Sequence, residues 1–253
     1  MKRFAVPALT LFALLAGWEL LVRLAHIPHY TLPGPILVAQ TLADNFGSLA
    51  GSWWFTLKVT FGALALACAG GVLIAAVFAL SPPLEAALLP VAVVLQVTPI
   101  VAIAPLILIY VESTAAALLL CAWIVAFFPI LSNTVIGLRA ADRNLRDLFR
   151  LYRATPWQRL RLLLAPTALP YFVAGLKISG GLSLIGAVTA EMVAGSAGRE
   201  TGLASRILEA SFRTETPKMF AALSLLVATG VLIFWAFNAL SKLLLGRWHA
   251  SPP

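Results

Sequence analysis

Few residues in this chain could do chemistry, and their types narrow the options quickly. The three histidines, His26, His29 and His249, lie near the ends of apolar stretches or in the C-terminal tail, so no serine–histidine pair can be assembled inside an apolar segment. There is no His-Glu-x-x-His, no Cys/His cluster and no Gly-Lys dipeptide, which removes a zinc protease and the phosphate-cradling loop of an ATPase. Cys68 and Cys121 lie within apolar sequence and read as small buried residues, not a disulfide framework. Two sets remain. Gln96, Thr98, Asn133 and Glu191 are polar groups embedded in apolar sequence, where an ionisable side chain is costly to insert and points to a function. The other set is an arginine-rich stretch at 138–169, with seven arginines against Asp142 and Asp147 for a net charge of +5. The first set could line a solute path, and the second could rest on anionic lipid or be gripped by a protein.

The elements that must position these residues follow from composition. Of 253 residues, 61% are hydrophobic and 11% charged, against about 25% charged in a soluble globule. No Asp, Glu, Lys or Arg occurs at 59–84, 86–111, 113–138 or 219–241. Each run exceeds the roughly 20 residues needed to cross a bilayer. Spans are expected at about 4–25, 56–80, 86–110, 113–137, 170–194 and 219–241. Ahead of the second, Pro35 opens a short helix at about 36–46, and Trp53 and Trp54 mark a membrane–water boundary. Pro90, Pro99 and Pro105 imply kinks or breaks in the third span. A signal peptide fits Met1-Lys2-Arg3 and the apolar stretch from Phe4 less well than a first span does, because that stretch is too long. Six spans put both termini and the arginine loop on one side, and the bias of positive charge makes that side cytoplasmic.

The loop reads as two short helices. Asp142 can cap the first, whose apolar positions Leu145, Leu148, Phe149 and Tyr152 recur at three- and four-residue steps. Thr155 and Pro156 supply a capping hydroxyl and a first-turn proline for the second, which Pro166 and Pro170 should end before the fifth span. Gln96 and Asn133 could equally be hydrogen-bond glue between helices, and Glu191 an interfacial carboxylate. The stripe Gly175, Ser179, Ser183 and Ala187 reads as a helix-packing face.

Several motifs resemble the membrane-spanning permeases of ATP-binding-cassette (ABC) importers. Their cytoplasmic motif is Glu-Ala-Ala, three residues, Gly, nine residues, Ile, one residue, Leu-Pro. Aligned on Pro166, it places Asp147-Leu148-Phe149 on Glu-Ala-Ala, Arg153 on the glycine, Leu163 on the isoleucine and Ala165 on the leucine. Arg153 is a departure that bears on the tight turn and its fit to the ATPase. Leu32-Pro33-Gly34-Pro35, the stretch from Pro99 to Leu106, Phe127-Phe128-Pro129 and Gly175-Leu176-Lys177-Ile178 resemble the nitrate/taurine/aliphatic-sulfonate branch, as does Ala190-Glu191-Met192. The C-terminal part, through Arg206-Ile207-Leu208-Glu209-Ala210, looks most like permeases for pyrimidine-type vitamin precursors.

The expectation is an all-α membrane protein: one domain over 1–253, six transmembrane helices like a type I ABC importer permease, and a cytoplasmic helix–turn–helix coupling loop. The resemblance implies a transport subunit of the bacterial inner membrane rather than an enzyme, passing a small solute of sulfonate, taurine, nitrate or pyrimidine-precursor type. It also implies two cytoplasmic ATPase subunits that use the ATP, a second permease copy, an external substrate-binding protein and no cofactor on this chain. Asp147, Leu148, Phe149, Tyr152, Arg153, Ala154, Thr155 and Pro156 would meet the ATPase; Gln96, Thr98, Asn133 and Glu191 would line the path. The rival is a stand-alone secondary transporter or channel, which would need coupling charges in the spans, where only Glu191 and Glu112 could serve.

Overall fold

The computed structural model describes residues 2–195 and 201–246; Arg247, His249 and the rest of the tail lie outside them. Every regular element among the described residues is helical. Five helices are long and apolar enough to cross a membrane, and the count rises to six if a sharply bent pair is taken as one span. The chain packs as two compact units whose boundaries fall inside two of the long helices and just past a third.

The first unit comprises Met1–Phe55 and Gly195–Ala228. Helix α1, Lys2–Leu24, closes with His26 in the left-handed region (φ 49°), the Ile27 amide donating to the Val22 carbonyl and the His26 amide to that of Arg23. The Glu19 carboxylate pairs with Arg23 at 2.6 Å and accepts the Ile36 amide at 3.2 Å, tying the Leu32–Pro35 loop to α1. A Cβ on Gly34 would lie 2.6 Å from Glu19 Oε2, so a larger residue there would have to push the Glu19 carboxylate aside. Helix α2, Pro35–Leu80, is unbroken over 46 residues, about 69 Å. The expected separate helix at 36–46 is absent, because no proline interrupts this stretch, and Trp53 and Trp54 lie inside the continuous helix. Asn45 and Ser48, which could have favoured a turn, instead donate back to the Thr41 and Asn45 carbonyls.

The second unit comprises Thr56–Ala194 and Thr229–Pro253. Helix α3 (Pro82–Val97) and helix α4 (Ile100–Tyr110) replace the single third span and meet at a bend of 100°. Pro82 and Pro83 open α3 rather than holding the chain out of a helix until 86, since a first turn has no use for their missing N–H groups. Of the other three prolines only Pro99 breaks the helix; Pro90 and Pro105 lie inside α3 and α4.

Helix α5 (Thr114–Arg139) is followed by α6 (Arg143–Leu151), α7 (Pro156–Arg159), a π-helical turn (Leu160–Leu164) and α8 (Ala165–Ala194). Pro166 and Pro170 do not end a helix there. The π turn widens the coil by one residue, with the Ala165 amide reaching Leu160, and the chain passes into α8 without a break. The small-residue stripe packs as expected. Ser179 Oγ donates to the Ala126 carbonyl at 2.6 Å, and Ala187 is fully buried. Cβ atoms on Gly137, Gly175 or Gly186 would come within 2.9 Å of α5 or α8 backbone, leaving those two helices no slack. Helices α9 (Leu203–Phe212) and α10 (Thr216–Leu245) complete the chain.

Candidate functional site

The arginine loop forms as its capping residues dictate. Asp142 Oδ1 accepts the Asn144 and Leu145 amides at 2.8 and 3.2 Å and starts α6. Thr155 and Gln158 form a reciprocal capping box that starts α7 at Pro156. Between them the chain turns on Arg153, the residue at the family's glycine position. Its φ is 51°, its amide donates to the Arg150 carbonyl and the Ala154 amide donates to that of Phe149, both at 2.9 Å. This is the left-handed helix terminus that glycine usually makes, so the tight turn survives the departure at some conformational cost.

No residue of α6 is buried. Leu148, Phe149, Tyr152 and Ala154 line a depression of about 300 Å³ with Gln158 and Leu162. Leu148 is 46% and Tyr152 80% exposed, whereas Phe149 is half-buried against the core of the second unit. Exposed Asp147 pairs with Arg150 at 3.6 Å. The expected coupling residues thus split: Leu148, Tyr152 and Ala154 offer surface, Phe149 anchors the helix, and Arg153, Thr155 and Pro156 shape the turn.

Among the path candidates, Gln96 and Thr98 come together. They line a cavity of about 330 Å³ at the α3–α4 bend, with Pro99, Ile124, Val125 and Pro129 among the walls. Thr98 Oγ1 donates to the Val94 carbonyl at 2.7 Å, satisfying an oxygen at the break. Asn133 Nδ2 donates to the Pro129 carbonyl at 2.9 Å, a bond within α5 that leaves Asn133 outside that cavity's lining. Glu191 is fully buried and accepts from Thr56 Oγ1 at 2.8 Å. It is therefore an interior carboxylate of this unit, not an exposed one.

Two further residues join these sites without having stood out in the sequence. Thr56 lies 135 positions from its partner, and no local pattern marks it. Glu85 is a buried carboxylate whose Oε2 lies 2.5 Å from Arg139 Nη2. A signal for Glu85 is present: it is the single charge separating the uncharged runs 59–84 and 86–111.

Comparison with known proteins adds an independent result. The family described as "Binding-protein-dependent transport system inner membrane component" matches residues 67–247. The riboflavin transport system permease protein RibX of Chloroflexus aurantiacus is 35% identical over 259 residues, covering 99% of this chain and 94% of that protein. The formylaminopyrimidine transport permease protein ThiX of Halalkalibacterium halodurans is 31% identical over 244 residues, covering 94% of each. Among solved structures, one of inward-facing conformations of the MetNI methionine ABC transporter superposes with a TM-score of 0.65. It is 21% identical and covers 77% of this chain and 94% of that one, a likeness of fold.

Proposed function

Because this chain belongs to the binding-protein-dependent transport system inner membrane component family and is an ABC importer permease of the nitrate, sulfonate and vitamin-precursor branch, we propose how its parts divide the work. The α6–α7 segment is the seat of a cytoplasmic ATPase, and the chain acts as one permease domain paired with a second copy. Two ATPase subunits supply the energy, and an external binding protein delivers the solute. Both termini lie with the arginine loop in the cytoplasm. The observation that carries the docking reading is the unburied apolar edge of α6, Leu148 and Tyr152, beside a ready depression. An amphipathic helix with an unfilled apolar face fits a partner's groove, and the surrounding arginines set orientation and association rate.

Solute passage runs past the cavity at the α3–α4 bend, where Gln96 and Thr98 supply polar contacts between apolar walls. Broken helices line paths in membranes because the freed backbone groups must face protein or water. Asn133 and Glu191 belong to the same pathway, with Glu191 acting in gating. Identities above 30% over more than nine-tenths of the chain with the riboflavin and formylaminopyrimidine permeases favour a heteroaromatic vitamin or vitamin-precursor cargo over nitrate or sulfonate.

The decisive experiment reconstitutes the permease with its ATPase and binding protein in vesicles and follows solute uptake with ATP hydrolysis. Gln96→Ala should reduce uptake of the cognate solute while leaving ATPase association intact. Uptake that persists without ATPase would instead identify an uncoupled transporter. Cysteines at Ser48 and Arg153 test the orientation: a membrane-impermeant thiol reagent should label the first and spare the second in intact cells.

A further inference from the structure

A second charged feature lies behind the docking helix. A cavity of about 260 Å³ in the second unit is walled by the ends of α2 and α5, the first turn of α3, and α6–α7. Arg139, Arg146, Arg150 and Arg159 line it together with a single carboxylate, Glu85, leaving three positive charges in excess (four minus one). Some of this charge is already engaged. Arg139 Nη2 holds Glu85 Oε2, Arg146 Nη2 donates to the Leu138 carbonyl at 3.4 Å and to that of Arg139, and Arg150 Nη1 faces Asp147 Oδ1 at 3.6 Å. Arg159 has no carboxylate partner among the described residues.

Two buried atoms on this cavity lack any partner, and they are of opposite kind: Arg146 Nε, a donor, and Glu85 Oε1, an acceptor. Leaving such groups unsatisfied is costly, and more so when they are charged. The space is many times the roughly 10–15 Å³ a water centre requires, so one bridging water does not fill it. An occupant must accept from guanidinium groups and also donate to a carboxylate. The cavity lies at the end of α2 and where the uncharged run of α5 gives way to Arg139, and a membrane span that ends there ends among the phospholipid headgroups.

We propose that this cavity is the headgroup site of a zwitterionic aminophospholipid, the phosphodiester held by Arg146, Arg150 and Arg159 and the primary ammonium by Glu85 Oε1. Guanidinium forks match phosphate oxygens, and a primary ammonium supplies the hydrogen that a trimethylated one cannot. The apolar end of α2, through Phe78 and Ala79, lines the same space. Lipid composition would thereby help to fix the seat of α6, because Arg146 and Arg150 both belong to that helix.

The test is native mass spectrometry of the purified transporter complex in detergent, titrated separately with phosphatidylethanolamine, phosphatidylglycerol and phosphatidylcholine. Soluble O-phosphoethanolamine and inorganic phosphate form parallel arms, read together with the three lipids by thermal shift. Retention of phosphatidylethanolamine should exceed that of phosphatidylcholine by about tenfold, the worth of one charge-assisted hydrogen bond. Glu85→Gln should bring the ethanolamine lipid down to the glycerol lipid. Arg159→Gln, which breaks no ion pair among the described residues, should lower both and so guards against misfolding of the Glu85 variant. Equal retention of all three lipids by the wild type and Arg159→Gln would overturn the proposal. So would thermal shifts from the soluble anions that match those from the lipid, which would make the ligand a free phosphate. No retention at all would leave a water-filled cavity and overturn it too.

Discussion

Helices α6 and α9 are short, arginine-bearing and closed by the same left-handed turn, yet they are built to opposite ends. In α9, Leu203, Ala204, Ser205 and Ala210 are buried, and the charges neutralise one another. Glu209 takes Arg206 at 2.9 Å and Arg213 at 2.8 Å, and Arg206 Nε also donates to Ser52 Oγ at 3.0 Å. In α6 nothing is buried, and Asp147, 3.6 Å from Arg150, is the helix's sole carboxylate. A helix whose apolar face and charges are satisfied within its own unit is scaffold. One that leaves much of its apolar edge exposed, as α6 leaves Leu148, fits the proposed docking role.

The contrast breaks first, if it breaks, on partner binding. Leu148→Ala combined with Tyr152→Ala should weaken association with the ATPase by about 2 kcal/mol or more, roughly thirtyfold, as for a central interface anchor. Phe212→Ala, removing an equally exposed aromatic from the end of α9, should leave that association unchanged. Co-purification and titration of ATPase against immobilised permease measure both. Phe149→Ala is a poorer probe, since Phe149 packs on the core and its loss also loosens the helix.

The turns come next. Arg153 and Thr214 hold φ of 51° and 59°, and the Glu215 amide donates to the Ala210 carbonyl as the Ala154 amide does to Phe149. Replacing either by glycine should raise thermal stability by up to about 1 kcal/mol, as the Cβ strain goes. Arg153→Gly should also change ATPase affinity, whereas Thr214→Gly should not; identical behaviour would erase the distinction between the two helices.

Smaller still are single-charge effects. Arg150→Gln on α6 should cost under about 1 kcal/mol in stability but flatten the salt dependence of ATPase association. Arg213→Gln on α9 should trim stability by a similar small amount and leave that salt dependence alone.

The smallest effect concerns acid. The Arg206 hydrogen bond, followed by the nearby charges of Arg213, Arg206 and Lys218, holds the Glu209 carboxyl below the usual carboxylate range. A depressed carboxylate contributes stability that is present above its unfolded value and fades as pH falls through its folded one. Wild-type protein should therefore lose a little thermal stability on acidification through that window. Glu209→Gln should be less stable at neutral pH and show a flatter profile there.

How much of this was legible in the sequence tracks the range of the forces involved. The caps at Asp142 and Thr155 act over three residues, so α6 and α7 could be read directly. The stripe from Gly175 to Ala187 repeats every four positions and announced a packing face. The continuity of α2 was hidden, because Gly47, Ser48, Gly51 and Ser52 look like a loop until their backbone is seen to stay helical. Thr56 with Glu191 and Glu85 with Arg139 were invisible as pairs, since nothing local links residues so far apart. The passage of Pro166 into α8 depended on a π turn that no periodicity marks.

That π turn has a mechanical consequence. The rod from Pro156 to Ala194 is one helix of 39 residues, so a load applied at its α7 end meets no slack loop before the membrane. The extra residue in its wide turn offsets the faces on either side by about 100°. Past that turn the rod lies against α5 so closely that Gly137, Gly175 and Gly186 leave no clearance for a Cβ. Any displacement of the α7 end would therefore have to be shared by α5 and α8, whose backbones are in contact at these glycines.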